Sequence, residues 1–244
     1  MVDHHTAKAF DVDLQDLARM VAEMGGLAEK QIAESVDALA RRDANLAQRV
    51  VALDPTIDTL QREIEERAIL TIARRQPMAV DLREIVGALR VSNDLERIGD
   101  LAKNIAKRVI ALGSEFHPSK VIRGVEHMTD LVLGQLKQVL DAYARRDVNQ
   151  AMEVWRGDEE IDAVNNSLFR ELLTYMMEDP RNITFCTHLL FCAKNIERMG
   201  DHATNIAEAV HYMVEGQAIE GERPKGDVSS YTGETLEFAG RVLA

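Results

Sequence analysis

Four carboxylate pairs spaced four residues apart come in two matched sets: Asp54 and Asp58 with Asp158 and Asp162, and Glu96 and Asp100 with Glu197 and Asp201. Residues i and i+4 share one face of a helix, so each pair projects its oxygens the same way. Like charges so placed repel mildly, and a bound cation reverses that cost. Oxygen-only donors suit Mg, Mn or Ca, and iron and zinc also accept carboxylates. Asn104, Asn205 and Glu208 continue the same faces and are additional candidate ligands. A single acid pair on a helix is ordinarily no more than a solvated face.

Repetition argues for more. The stretch Asp94-Leu95-Glu96-Arg97-Ile98-Gly99-Asp100-Leu101-Ala102-Lys103-Asn104-Ile105-Ala106 returns, shifted by 101 positions, as Asn195-Ile196-Glu197-Arg198-Met199-Gly200-Asp201-His202-Ala203-Thr204-Asn205-Ile206-Ala207. Eight of these thirteen pairs are identical. A bundle needs a pattern of apolar and polar positions, not the same polar residues in the same order. The duplication therefore points to a duplicated site. Gly99 and Gly200 weaken a helix where Ala would strengthen it, so they predict close approach of another backbone. Arg97 and Arg198 sit beside those glycines, where a planar guanidinium is suited to partner docking.

At about 100° per residue, Glu96, Asp100, Asn104 and Lys107 form one stripe, edged by Asn93 and Lys103. Val91, Ile98, Leu101, Ala102, Ile105 and Val109 form the opposite one. In the second copy Glu197, Asp201, Asn205 and Glu208 oppose Met199, Ala203, Ile206 and Val210. The apolar stripes pack inward and the acidic stripes face water or another protein. Glu208 stands where the first copy has Lys107, so the second stripe is expected to bind cations more tightly.

The elements that carry these stripes read as helices. The chain has 244 residues, 46% of them hydrophobic but only 5% aromatic, with five prolines. That composition favours aliphatic helix packing over a β-sandwich. Periodicity predicts helices at about 10–42, 44–75, 80–112, 120–144, 148–178 and 182–215. Residues 1–8 read as a loose polar leader. Gly25-Gly26 predicts a bend or a close helix contact. Pro55 predicts a kink in a continuous second helix, and its counterpart helix has no proline to break it. Ala40-Arg41-Arg42-Asp43 and Ala144-Arg145-Arg146-Asp147 mark matching corners, each Asp suited to cap the next helix. The result is two three-helix units, 8–113 and 118–216. Residues 217–244 read as a flexible C-terminal tail, in which Leu236, Phe238, Val242 and Leu243 have spacing compatible with a short helix.

The formal net charge of −12 argues against nucleic acid as a main partner, since phosphate binding needs a basic surface. No apolar run approaches the ~20 residues needed to span a bilayer. Cys186 and Cys192 read as reduced core residues of a cytosolic protein. Glu208-Ala209-Val210-His211 is a Glu-x-x-His motif, but di-iron bundles need two, and the first half has Lys107-Arg108-Val109-Ile110 there. His188 and His202 read as core or boundary residues. The chain has no Gly-rich phosphate loop, Gly-x-Ser-x-Gly elbow or Cys-x-x-Cys.

The duplicated Glu-Arg-[Ile/Met]-Gly-Asp-x-Ala-x-Asn-Ile-Ala, with Asp54–Asp58 and Glu159–Asp162 upstream, resembles the PhoU family over residues 8–216. The resemblance implies an all-α fold of two tandem three-helix bundles. It implies a non-catalytic cytoplasmic regulator of the high-affinity phosphate transporter, acting as a homodimer. Its partners would be the transporter's ATPase subunit and a membrane sensor histidine kinase, so any membrane role runs through partners. It also implies surface metal clusters of Fe, Zn, Mn or Mg held by [Glu/Asp]-x-x-x-Asp motifs, which fall here on the four carboxylate pairs above. A metal-dependent helical-bundle enzyme or an ion-storage protein is the alternative.

Overall fold

The computed structural model describes residues 3–113 and 119–221. Seven α-helices follow one another: α1 (Asp3–Arg41), α2 (Ala44–Arg75), α3 (Val80–Leu112), α4 (Ser119–Arg145), α5 (Val148–Arg156), α6 (Asp158–Glu178) and α7 (Ile183–Glu215). A single 3-10 turn, Pro180–Asn182, precedes α7. No strand occurs among the described residues. α1, α2 and α3 pack on one another, as do α4 to α7, and the two bundles join through α3 against α7 and α1 against α4. The expected all-α duplicated architecture is therefore the one observed. The tail from 222 and most of the hinge at 113–118 lie outside the described residues.

The apolar stripes bury as their spacing requires. Val91, Ile98, Leu101, Ala102, Ile105 and Val109 of α3 are buried, as are Met199, Ala203, Ile206 and Val210 of α7. One core cluster runs through both bundles, from Leu17 to Met213. Cys186 and Cys192 are free and buried within it, and burial pushes the Cys192 thiol up to about 12.

The repeated corners are built alike. Arg42 and Arg146 both adopt left-handed backbone, with φ of 57° and 56°. The next amide turns back across the helix end, Asp43 N to Ala38 O and Asp147 N to Ala142 O, each at 2.9 Å, a Schellman closure. The same aspartates then cap α2 and α5, accepting from Leu46 N at 2.9 Å and Gln150 N at 3.1 Å.

Three expectations are corrected. The polar leader is helical from Asp3 onward. The predicted helix over 148–178 is two helices, although α2, its counterpart with a proline, is continuous through Pro55. The break falls at Gly157, which occupies the place of Leu53. Its N–H is shared between Glu153 O and Val154 O at 3.0 and 3.1 Å, and its carbonyl accepts from Gln135 Nε2 of α4. Asp158, Glu159 and Glu160 then suit the positive end of a fresh helix. Lastly, Gly99 and Gly200 admit side chains rather than a backbone. A Cβ at Gly99 would lie 3.0 Å from both Ile57 Cδ1 and Gln31 Oε1, and at Gly200 3.1 Å from Ile161 Cδ1. Gly25 makes the expected close helix contact, against Leu140 of α4.

These environments give opposite signs to one substitution. Gly26 faces open space, so Gly26→Ala should stabilise the protein by about 0.5–1 kcal/mol through helix propensity alone. Gly99→Ala meets two buried side chains and should destabilise it by about 1–3 kcal/mol. Urea denaturation of the two variants decides the matter, and equal midpoints would mean that Ile57 and Gln31 move aside freely.

Candidate functional site

Each bundle brings its carboxylates together along the seam between two helices. In the first, α2 contributes Asp54 and Asp58 and α3 contributes Glu96 and Asp100. Asp54 is buried, while Asp58, Glu96 and Asp100 are half-buried. Lys103 reaches across the seam, its Nζ donating to Asp54 Oδ2 at 2.6 Å and to Asp100 Oδ1. Its side chain is only 20% exposed. Arg97 lies outside, 54% exposed, with Nε 3.3 Å from Glu96 Oε2 and Nη1 3.7 Å from Asp100 Oδ2. Gln31 of α1 is buried below, and neither polar atom of its amide has a hydrogen-bond partner.

The second bundle repeats the arrangement with a different electrostatic solution. Asp158 and Asp162 of α6 and Glu197 of α7 are buried, and Asp201 is half-buried. At the place of Lys103 stands Thr204, which is buried and donates to Asp201 O at 2.7 Å. Lys194, one turn before Glu197 and 53% exposed, lies 2.8 Å from Glu197 Oε2. Gln135 takes the place of Gln31. Its Nε2 donates to the Gly157 carbonyl at 3.1 Å, and its buried Oε1 has no hydrogen-bond partner.

Burial first, then the neighbouring cation, then the neighbouring carboxylates, shifts the glutamates of these seams. Loss of solvent raises the Glu96 carboxyl above its ordinary range; Arg97 pulls it down, and Asp100, Asp58 and Asp54 push it further up. Burial likewise raises Glu197, with Asp201 and Asp162 adding to it and Lys194 opposing. Burial alone would lower Lys103, but hydrogen bonds to Asp100 and Asp54 carry it above the usual lysine range.

The acid stripes, expected to face water or another protein, are instead partly buried against the neighbouring helix. The stripe leans into the neighbouring helix because Gly99 and Gly200 let Ile57 and Ile161 approach. Not every candidate ligand joins the seams. Asn104 is exposed. Asn205 Nδ2 donates instead to Asp94 Oδ1 of the first bundle at 3.2 Å, beside His202 Nδ1 at 2.8 Å from the same oxygen. Glu208 accepts from Trp155 Nε1 at 3.1 Å, and His211 Nδ1 lies 3.1 Å from Gln217 O, so the Glu-x-x-His residues serve other contacts. The electrostatic asymmetry between the seams therefore lies in Lys103 against Thr204, not in Lys107 against Glu208. Sequence reasoning placed Lys103 at the edge of its stripe and passed over it, although the aligned copies already set it against Thr204. Arg198, like Arg97, is exposed.

Among the described residues, no three of His, Cys, Asp and Glu are already gathered to hold a metal ion. The second seam nonetheless suits a cation: its acids are desolvated and repel one another, and the Gln135 carbonyl oxygen beside them lacks a partner. The first seam does not fit one as it stands, because an ammonium already bridges its acids. The roomier clefts lie elsewhere. One of about 380 Å³, where the bundles meet, is lined by Glu84, Tyr143 and Arg146, with Arg146 Nη2 2.7 Å from Glu84 Oε2.

A family model described as the PhoU domain matches residues 21–109 and 125–210, one match for each bundle. A phosphate-specific transport system accessory protein PhoU homolog of Rhizobium meliloti is 58% identical over 96% of this chain and 98% of its own length. One from Caulobacter vibrioides is 55% identical over 93% and 98%. The crystal structure of PhoU from Pseudomonas aeruginosa superposes with a TM-score of 0.79 at 40% identity, covering 85% of this chain and all of that one. The phosphate transport system regulatory protein PhoU from Streptococcus pneumoniae gives 0.80 at 27% identity, covering 87% and 100%.

The raised Glu197 carboxyl has a consequence for stability. Folding favours its protonated form, so its contribution is present below the ordinary glutamate range and is lost as pH rises through the folded value. Glu197→Gln should therefore raise the melting temperature of the metal-free protein by about 2 °C at about pH 7.5, with the difference vanishing near about pH 4. Calorimetry in a chelator checks it; a lower melting temperature at neutral pH would mean that Lys194 more than offsets the burial.

Proposed function

Because the chain belongs to the PhoU family, we propose that it is a non-catalytic accessory protein of a phosphate-specific transport system, restraining the phosphate-starvation response when phosphate is plentiful. The observation that carries this reading is the near end-to-end match to relatives named as accessory proteins of that system, with the family domain falling on both signature helices. The protein works in the cytoplasm and binds the transporter's ATPase subunit and a membrane sensor histidine kinase. No described helix is long and apolar enough to cross a membrane, so it reaches the membrane through these partners. Exposed Arg97 and Arg198 supply docking groups on both bundles.

In this reading Asp158, Asp162, Glu197 and Asp201 hold a metal ion, of iron, zinc, manganese or magnesium. Bound there, the ion neutralises the seam and supplies a positive charge toward partners. These residues would orient it, and the buried Gln135 Oε1, which has no hydrogen-bond partner, lies beside them. A di-iron oxidase is disfavoured, since Glu208 and His211 serve other contacts.

Deleting the gene should switch on a phosphatase reporter of phosphate starvation in phosphate-rich medium. A strain carrying Arg97→Ala with Arg198→Ala should behave as the deletion does, while the purified variant keeps its helix content. A reporter that stays silent in the deletion strain at high phosphate would remove the phosphate reading.

A further inference from the structure

We infer that Lys103 is the resident cation of the first seam, and that this seam takes no metal in the native chain. The duplicated bundles act as a controlled comparison. Asp54, Asp58, Glu96, Asp100 and Gln31 have the counterparts Asp158, Asp162, Glu197, Asp201 and Gln135. Within the thirteen-residue signature, Lys103 is the one residue that adds a charge its counterpart, Thr204, lacks between the acids of the two helices. Its ammonium hydrogen-bonds one carboxylate from each helix, Asp54 of α2 and Asp100 of α3. A metal there would have to break both bonds and set two cations side by side.

Lys194 does not give the second seam the same closure. It pairs with Glu197 of its own helix, three residues on, and its side chain is 53% exposed against 20% for Lys103. That contact is an exposed ion pair within one helix turn, which is weak and screened, whereas Lys103 is held between two helices. The structural role follows: the first bundle keeps α2 tied to α3 whether or not metal is available, and only the second bundle responds to it. The response of the second bundle rests on the metal reading above; the closure of the first does not.

Titration of the chelator-stripped full-length chain with Mn²⁺, following free Mn²⁺ by paramagnetic resonance, tests this. Asp54→Asn with Asp58→Asn should leave bound Mn²⁺ unchanged, whereas Asp158→Asn with Asp162→Asn should abolish it. Lys103→Thr should roughly double bound Mn²⁺ by opening a second oxygen-donor set, and adding Asp54→Asn should remove the gain. Lys103→Gln, which keeps most of the stem without the charge, should show the same gain and serves if the threonine variant folds poorly. Loss of metal from the native chain on changing Asp54 and Asp58 overturns the inference, as does the absence of any gain in both Lys103 variants. A native chain that binds no Mn²⁺ while Lys103→Thr does would support the closure and reject the metal reading of the second seam.

Discussion

Carboxylates packed into a seam between two helices require a positive charge. Burial removes the water that would screen them, and their mutual repulsion grows as the local dielectric falls. Here the acids of α2 and α3, and of α6 and α7, are brought together by core packing on the opposite faces of the same helices. The protein meets the requirement twice and differently. One seam uses a lysine that spans it; the other leaves a lysine at its margin and a threonine inside. Raised Glu96 and Glu197 carboxyls record the strain that remains.

The approach of the helices is decided by apolar groups, not by the acids. Gly99 and Gly200 leave room that Ile57 and Ile161 fill, and the buried amide of Gln31 and the buried Oε1 of half-buried Gln135 lie near the same glycines. Each acid therefore sits at a spacing imposed by close-packed side chains, which yield little. The spacing of the acids is thus set by the core and not by their own charges. The cost is carried by the fold, in weakened helix propensity at the glycines and in polar groups left without partners.

Much of this was legible in the sequence where the determinants are local. The bounds of α2 and α3 follow from Asp43 as a cap, Gln76-Pro77 as a stop and an uninterrupted apolar period, and the observed helices begin and end there. The carboxylate pairs and their duplication were readable as spacing. What escaped depends on contacts between helices. The break at Gly157 relies on an amide from α4. Glu208 turns to an indole on α5, and Asn205 to a carboxylate of the other bundle. Helical periodicity assigns a residue to a face but does not say which neighbour that face meets, so Lys103 read as an edge residue until the register of α2 against α3 was known.

That register also places the seams relative to one another. α3 and α7 each carry one acid set and pack directly together. Asp94 stands two residues before Glu96, and it binds His202 and Asn205, which flank the second set just after Asp201. The two signature helices are thus joined by a polar bridge in which Asp94 stands against Asn195 and His202 against Leu101, while Asn205 matches Asn104. Duplication alone would have given two independent sites. On the reading proposed above, divergence at Lys103 and Thr204 leaves one bundle closed by its own charge and the other open to a cation, with α3 packed against α7 between them. Such a pair of halves would suit a regulator that holds one surface constant while changing another.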